Sequence, residues 1–310
     1  MSRTAGYVSG ITTQFIPAGS GYGEATGGTS LGTRTVGGLN YTVLEFTSTS
    51  QLTIVKAGLF DIMLFAGGGA GGNQSAEQSG GGGGGGGYRQ ATVFLNANIT
   101  ITIGAGADAS QSVSVAGIGS PSYTSNNMIY ANGGGTGGMY DYNRFNQFAA
   151  SAGGQNTNGT LGSSAWANGF SGGSRGSDAN GLWAAGGGAG VGGAGVSAYQ
   201  VSSQIRGGQG GIGLDVSSFI GGSLLSKGGG GGGGQHYSGE GGEGGGNGGT
   251  PTARTSTSGG NGGKSSQNGS AAPANSAGGG GGCGRFPTTS YNTGGSGGSG
   301  IGYVRFRIYT

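Results

Sequence analysis

The sequence predicts an all-β fold in which glycine itself serves as a packing element. Glycine accounts for 88 of the 310 residues and is concentrated in tracts, of which 80–87 and 228–234 are uninterrupted. Short segments rich in β-branched and aromatic residues separate the tracts, which is typical of strands. No segment keeps a helical period for longer than a turn or two. We therefore expect short strands combined with ordered glycine tracts and essentially no α-helix.

The composition excludes both a collagen triple helix and a disordered chain, two states in which glycine is abundant. Proline contributes only 5 residues and there is no strict Gly-X-Y frame, so a collagen triple helix is excluded. Charged residues make up 7% of the chain, whereas disordered chains combine low hydrophobicity with high charge. The 13 Tyr, 11 Phe and 2 Trp are more aromatic residues than a flexible linker requires. The remaining option is a folded chain that buries much backbone.

Ordered glycine tracts need a strong source of stability, because glycine loses more backbone entropy on folding than any other residue. Glycine has no side chain to bury, so hydrogen bonds between closely approaching backbones must supply that stability. Left-handed helices with three residues per turn have no internal hydrogen bonds and can bond to their neighbours. The composition therefore predicts packed helices of the polyglycine II type.

Apolar strand patterns cluster near the two ends of the chain. The segment 59–66 is almost continuously apolar, as in a strand buried on both faces. Because no middle segment has enough apolar residues for its own core, we expect one sheet system built from both ends. This predicts an N-terminal arm or attachment segment over 1–40 and one domain over 41–310. The predicted strands are 41–46, 51–55, 59–66, 88–95, 99–103 and 301–309, with a hairpin formed by 120–123 and 127–130.

The inventory of reactive side chains argues against an enzyme. Cys283 and His236 are the only cysteine and histidine, so no internal disulfide or zinc set can form. His236 has no evident nucleophile or orienting partner, and we interpret it as a turn residue. The many G-x-G-x-x-G matches lack a following helix, as does Gly263-Lys264-Ser265, so no nucleotide cofactor is expected. We predict no catalytic residue, no cofactor and no metal.

Charge and hydropathy also limit the partners. The net charge is only +3 and the basic residues are scattered, unlike the clustered stripe of a nucleic-acid binder. The longest apolar segment, 59–66, is far shorter than a membrane span, so we expect no membrane insertion. Residues 1–10 do not resemble a signal peptide, and synthesis in a cytoplasm is expected.

Aromatic residues in the polar inserts between tracts are the best candidates for a binding surface. Aromatic rings with polar tips suit contacts with sugars and proteins. An alternative is that these rings cover the ends of the glycine bundle or fill a subunit interface. The candidates are Tyr140, Tyr142, Phe145 and Phe148 in one insert, joined by Trp166 and Trp183.

Two further residues have an expected structural role. Asp61 lies within the apolar segment 59–66, and a buried carboxylate is costly unless it is paired. Pairing with Arg305 or Arg307 on the last strand is one interpretation, contact with a neighbouring subunit is a second, and an outward-facing edge position is a third. Cys283 is expected to be a small buried filler.

The order of these segments resembles the glycine-rich domain family found widely in bacteriophage tail and virion proteins. The resemblance covers roughly residues 38–309, as a pattern of order and spacing. It implies a β-sandwich-like base from which polyglycine II helices project, as in the tip adhesins of some long tail fibres. The matching elements are YTVLEF, QLTIVKAGLFDIMLFAGGGAGG, GGGGGGGGYRQATVFLNANITITIGAGA and GGSGGSGIGYVRFRI.

The resemblance implies a non-enzymatic structural protein on the exterior of a tailed phage virion. We expect a tail fibre or tip protein that contacts other virion proteins and a host cell-surface glycan or protein. Capsid decoration or a head fibre is the alternative, and a cellular extracellular adhesion protein is a second one. Fibre and decoration proteins are commonly symmetric, so a homo-oligomer is expected, with a trimer favoured.

Overall fold

The computed structural model describes most of the chain as strands and extended tracts. The described residues are 21–73, 79–109, 117–139, 149–156, 169–177, 183–201, 204–235, 258–264, 267–285 and 292–308. The elements are β1 Glu24–Thr26, β2 Thr29–Val36, β3 Leu39–Phe46, β4 Ser50–Lys56, β5 Gly58–Phe65, β6 Tyr88–Leu95, β7 Ile99–Thr102, β8 Ser122–Thr124, β9 Tyr130–Ala131, β10 Gly176–Ser177, β11 Trp183–Ala184, β12 Tyr199–Val201, β13 Gln204–Arg206, β14 Leu214–Asp215, α1 Ser217–Ile220, β15 Ser226–Lys227 and β16 Ile301–Arg307. The fold is all-β, as predicted, with one helical turn among the described residues.

The first sheet joins the two ends of the chain. Its five antiparallel strands have the order β2-β3-β16-β5-β6, so the last strand lies between two early ones. Val304 on β16 is aligned with Leu44 on β3 and with Ile62 on β5. Strands from both ends of the sequence therefore form one sheet, which confirms the predicted arrangement.

The second sheet packs against one face of the first and forms a sandwich. Its strand order is β1-β4-β7-β8-β9, again antiparallel. Residues alternate between the core and the outer face along each strand, as the period of two requires. The core between the sheets is formed by Leu44, Phe46, Leu52, Phe60, Ile62, Leu64, Val93, Leu95, Ile99, Ile101, Ile129, Val304 and Phe306.

The predicted strands agree closely with the structure, and the main difference lies near the N-terminus. All six segments with apolar patterns form strands, and β8 and β9 form the predicted hairpin. Residues 24–36, which fall within the segment expected to be an arm, form β1 and β2. The strand β2 is polar, mostly exposed and at the edge of its sheet, so it shows no apolar alternation. Residues 11–16, whose sequence ITTQFI also suggests a short strand, lie outside the described residues.

The outer face of the first sheet is covered by the segment 214–227. Phe219 and Ile220 of α1 are buried against Tyr41, Met63 and Tyr303 of the sheet. Asp61 lies on this face, is only 5% exposed, and is aligned with Arg305 on the neighbouring strand. Its carboxylate accepts a hydrogen bond of 3.0 Å from the Arg305 Nε, which confirms the pairing with Arg305.

The glycine tracts form a bundle of extended chains with the tract 80–87 at its centre. Successive N–H groups of this tract donate hydrogen bonds to three different neighbouring tracts. Every third N–H group donates to the same tract. This is the period of a three-residue helix, and it confirms the polyglycine II prediction. The donor–acceptor pairs are Gly80–Cys283, Gly83–Gly280 and Gly86–Ala277, then Gly81–Gly138, Gly84–Gly135 and Gly87–Asn132, then Gly82–Gly186 and Gly85–Ala189, at N···O distances of 2.7–3.1 Å.

The carbonyl groups of the central tract bond to other chains. The tract 66–72 donates to it at every third residue, from Ala66, Gly69 and Gly72. Gly231 and Gly234 donate from a second tract, and Gly154 donates from a third. Together with the three tracts that accept from it, the central tract is surrounded by six chains. Backbone hydrogen bonds thus hold the interior of the bundle without side chains.

Steric exclusion, rather than unusual torsion angles, requires glycine in this bundle. A Cβ atom on Gly82 would lie 2.0 Å from the Gly231 carbonyl oxygen, and one on Gly84 would lie 2.2 Å from the Ser151 oxygen. Among the described tract glycines, only Gly228 has a φ in the left-handed region, at 72°. The neighbouring backbones therefore approach too closely for any side chain, as in collagen.

The bundle continues the first sheet and has two distinct ends. Ala66 directly follows β5 and donates a 2.9 Å hydrogen bond to Gly87, which directly precedes β6. This end, where the tracts join the sandwich, is called the base. The opposite end, beyond Gly72 and Gly80, is called the distal end.

Candidate binding surface at the distal end

Two short hairpins close the described part of the distal end. The first pairs β10 with β11, and the second pairs β12 with β13. The Ala198 N–H donates to the Ser174 carbonyl at 2.9 Å, and the Ser174 N–H donates to the Ser197 Oγ at 3.0 Å. These bonds join the chains that lead into the two hairpins and fix the hairpins side by side.

Gln235 anchors the hairpins to the end of a central tract. Its backbone forms an antiparallel bridge with Ala184 of β11, and its side-chain Nε2 donates to the Ile205 carbonyl of β13. The Arg285 N–H donates to the Gln235 carbonyl at 2.8 Å. The first hairpin is therefore tied to the bundle by backbone bonds, and the second by the side chain of Gln235.

Trp183 is the most prominent aromatic side chain of this surface. The indole ring is half-buried, and the Arg175 guanidinium carbon lies 4.2 Å from its centroid. The Arg175 N–H donates to the Gln155 Oε1 at 3.1 Å, which fixes the arginine backbone beside the ring. A guanidinium over an indole is a favourable cation–π contact, and both side chains remain partly exposed.

Tyr199 and Arg206 repeat the combination of an aromatic ring and a cation on the second hairpin. They are opposite each other in the β12–β13 register, and both are half-buried. The distal surface thus presents two aromatic–arginine combinations on adjacent hairpins. Such a surface can contact sugar rings and acidic or polar groups, and its described part contains no arrangement of a nucleophile and a base.

Only one of the six predicted binding residues can be placed on this surface. That residue is Trp183, on β11. The other five, Tyr140, Tyr142, Phe145, Phe148 and Trp166, lie outside the described residues. Arg175, Tyr199 and Arg206 were not predicted, because single residues beside glycine tracts give no periodic signal. The cation–π contact between Arg175 and Trp183 depends on the pairing of β10 with β11, which the sequence does not reveal.

The bundle interior offers no reactive group in its described part. Cys283 is fully buried, and burial raises the pKa of its thiol to about 12, so the nucleophilic thiolate is disfavoured. Within the described ranges, no three His, Cys, Asp or Glu side chains come together as a metal site. No helix in the described part of the chain is long and apolar enough to cross a membrane.

A β-sandwich that extends into a polyglycine II bundle defines a class of all-β, glycine-rich domains. Residues 42–307 match the model of the glycine-rich domain family. The chain belongs to this family. No curated protein matches the chain.

Proposed function

We propose that this protein is a non-enzymatic structural protein on the exterior of a tailed phage particle, acting as a tail fibre or tip protein. In this proposal the sandwich and the residues before it face other virion proteins, and the distal end contacts the surface of the host cell. The order of the sequence segments, which resembles that of phage tail and virion proteins, supports the placement on a particle.

The proposal rests on one observation. The groups that hold the bundle together are separate from the side chains exposed at the distal end. The interior of the bundle is held by backbone hydrogen bonds, as in the contacts of the tract 80–87. Side chains at the distal end, such as Arg175 and Trp183, contribute nothing to those bonds. A receptor-binding surface can therefore change there without loss of the fold.

The thin core favours a homo-oligomer, with a trimer as the proposed state. Among the described residues, the large apolar clusters lie within the sandwich and on the outer face of its first sheet, whereas the bundle holds only a small alanine cluster, and symmetric association would add buried surface. Capsid decoration is the competing assignment. In that case the sandwich face or the N-terminal segment would bind the shell and the distal end would bind nothing.

The test compares two kinds of binding by the purified protein. One assay measures attachment to intact cells of the bacterium that the phage infects, and the other measures attachment to particles stripped of this protein. The variants are Arg175→Ala with Trp183→Ala on the distal hairpin, and Tyr140→Ala with Tyr142→Ala and Phe145→Ala in the aromatic insert. Tyr88→Ala near the base is the matched control, because Tyr88 is also an exposed aromatic residue, at 39%.

Host-cell binding that falls with either distal set and persists in the Tyr88 variant would support the tip assignment. Binding to stripped particles alone, unchanged in every distal variant, would replace it with capsid decoration. A measured mass of the protein in solution, for example from light scattering, separately checks the trimer.

A further inference from the structure

A stacked pair of tyrosines, one exposed and one half-buried, lies on the outer face of the second sheet, away from the distal end. The Tyr123 and Tyr130 rings have centroids 5.8 Å apart and an interplanar angle of 19°. They are opposite each other in the β8–β9 register. Tyr130 is 47% exposed although it lies within a strand, and Tyr123 is half-buried. Their immediate neighbours Ser122, Thr124 and Ala131 are buried, so the two rings share the solvent side of the hairpin.

The hairpin that carries these rings is held rigidly. The Ser122 Oγ donates to the Phe65 carbonyl and accepts from the Gly104 N–H, both at 2.8 Å, which ties β8 to the base of the bundle. At the other end, the Ser125 Oγ accepts from the Thr100 N–H at 3.0 Å and the Ser125 N–H donates to the Thr100 carbonyl. The rings are therefore presented in one arrangement before any ligand binds, which reduces the entropy cost of binding.

The tyrosine pair lies at the edge of the second sheet. Among the described strands of this sheet, none lies beyond Tyr130. The strand β9 is the last in the order β1-β4-β7-β8-β9, and Tyr123 covers Tyr130 from the side of β8. An aromatic ring at such an edge can accept a flat apolar surface of a ligand. Exposed stacked rings contribute little to the core of the sandwich, so core packing does not explain them.

The surroundings of the tyrosine pair are polar and uncharged. Thr102 is opposite Tyr123 in the register, and the β8–β9 turn carries the exposed amides Asn126 and Asn127. In the strands of this sheet, the charged side chains are Glu24 and Lys56, which pair with each other at 3.7 Å on the opposite edge. Neutral hydroxyl and amide groups can both donate and accept hydrogen bonds.

We propose that the surface around Tyr123 and Tyr130 binds a neutral polysaccharide. A sugar ring has an apolar C–H face that packs on an aromatic ring and hydroxyl groups that bond to threonine and asparagine side chains. An acidic polymer would require cations, and the only cation in the five strands of this sheet is Lys56, on the opposite edge and paired with Glu24. This site is separate from the distal surface and does not depend on the assignment of the protein to a phage tail.

The test is electrophoresis of the full-length protein in native gels that contain mannan, dextran or laminarin, with alginate as the acidic comparison. At least one neutral polysaccharide should slow the protein, and Tyr130→Ala should weaken the binding constant derived from the retardation by about tenfold. Tyr130→Ser provides a second variant at the same exposed position in case the first disturbs folding. Tyr88→Ala, at an exposed aromatic residue outside both surfaces, should migrate like the parent protein.

The outcomes test this site separately from the proposed function. Retardation by a neutral polysaccharide that depends on Tyr130 but not on Tyr88 supports the proposal, even if host-cell binding fails. The proposal is overturned if none of the three neutral polysaccharides slows the protein, or if only alginate does. Retardation that is unchanged in both Tyr130 variants, or that falls equally in the Tyr88 variant, also overturns it.

Discussion

Arg305 on the last strand and Asp61 on an early strand form a largely buried ion pair in which each side chain has a further hydrogen-bond partner. The Asp61 carboxylate also accepts a 2.6 Å hydrogen bond from the Thr92 Oγ1. The Arg305 Nη1 donates to the Phe219 carbonyl at 2.7 Å, and the guanidinium lies between the Tyr41 and Phe219 rings, at 4.5 and 4.3 Å from their centroids. One side chain thus links the closing strand, the sheet and the segment that returns from the bundle.

Replacing Arg305 by methionine should destabilise the protein strongly. The variant leaves the Asp61 carboxylate buried without its cation, which typically costs about 3–5 kcal/mol. Urea unfolding, followed by circular dichroism, measures the change in the free energy of unfolding.

The control for this variant is Arg89→Met, since Arg89 is exposed on β6 and should change stability by less than about 0.5 kcal/mol. The double variant Asp61→Leu with Arg305→Met should recover much of the loss, because no unpaired charge is left. If Arg305→Met and Arg89→Met unfold at the same urea concentration, the ion pair has no structural role.

Adding one methyl group to the central tract should disrupt the bundle. A Cβ on Gly84 would lie 2.2 Å from the Ser151 carbonyl oxygen, so a backbone must move. Such overpacking typically costs about 1–3 kcal/mol or more, and Gly84→Ala should lower the unfolding temperature accordingly. Calorimetry measures the shift.

Gly21→Ala is the matched control, because a Cβ there meets nothing within 4 Å. This substitution should leave stability within about 0.5 kcal/mol of the parent. Equal unfolding temperatures for the Gly84 and Gly21 variants would mean that the tracts do not pack in close backbone contact.

Arg175 should shield the ring of Trp183 from solvent. In a Trp166→Phe background, where Trp183 is the only tryptophan, Arg175→Ala should increase quenching of the fluorescence by acrylamide. Loss of an exposed cation–π contact typically costs only about 0.5–1 kcal/mol, so the fold should persist. Arg89→Ala in the same background provides a distant arginine control, and quenching that rises equally in both variants would contradict the contact.

The strands could be predicted from the sequence because their side chains alternate between a core and an outer face. The segment 88–95 is a strand over the same residues as predicted, and the nearly continuous apolar segment 59–66 became β5, buried on both faces. The strand β2 was missed because an exposed edge strand is stabilised by backbone pairing, which polar residues provide as well as apolar ones.

The pairing of the tracts could not be predicted, because glycine carries no side chain that distinguishes one neighbour from another. Nothing in the sequence of 80–87 indicates that its N–H groups alternate among tracts near Cys283, Gly138 and Gly186. The distal surface follows from that pairing, since it brings Arg175 to Trp183 and Tyr199 opposite Arg206. The aromatic positions could be proposed from composition, whereas their cationic partners could not.

The protein should lose stability as the pH rises above about 9. Ionisation of Cys283 in the unfolded chain should cause the first part of that loss. Burial raises the pKa of the Cys283 thiol from 9.0 to about 12. Burial, together with the Asp61 carboxylate, raises the pKa of Tyr22 from 10.0 to about 12. Between the unfolded and folded pKa values the folded protein binds more protons, so its stability decreases with pH, whereas below pH 9.0 both contributions are fully present.

Cys283→Ala removes the thiol contribution and leaves those of Tyr22 and of Tyr303, whose pKa is likewise raised by burial. In this variant the decrease should begin near pH 10, where an unfolded tyrosine starts to ionise, rather than near pH 9. Burial lowers the pKa of Lys227, so its contribution to stability increases with pH. Lys227 is present in both proteins, and its contribution therefore cancels when the two are compared. Urea midpoints between pH 8 and 11 measure the difference, and identical slopes between pH 9 and 10 would show that the thiol ionises as readily in the folded protein as in the unfolded chain.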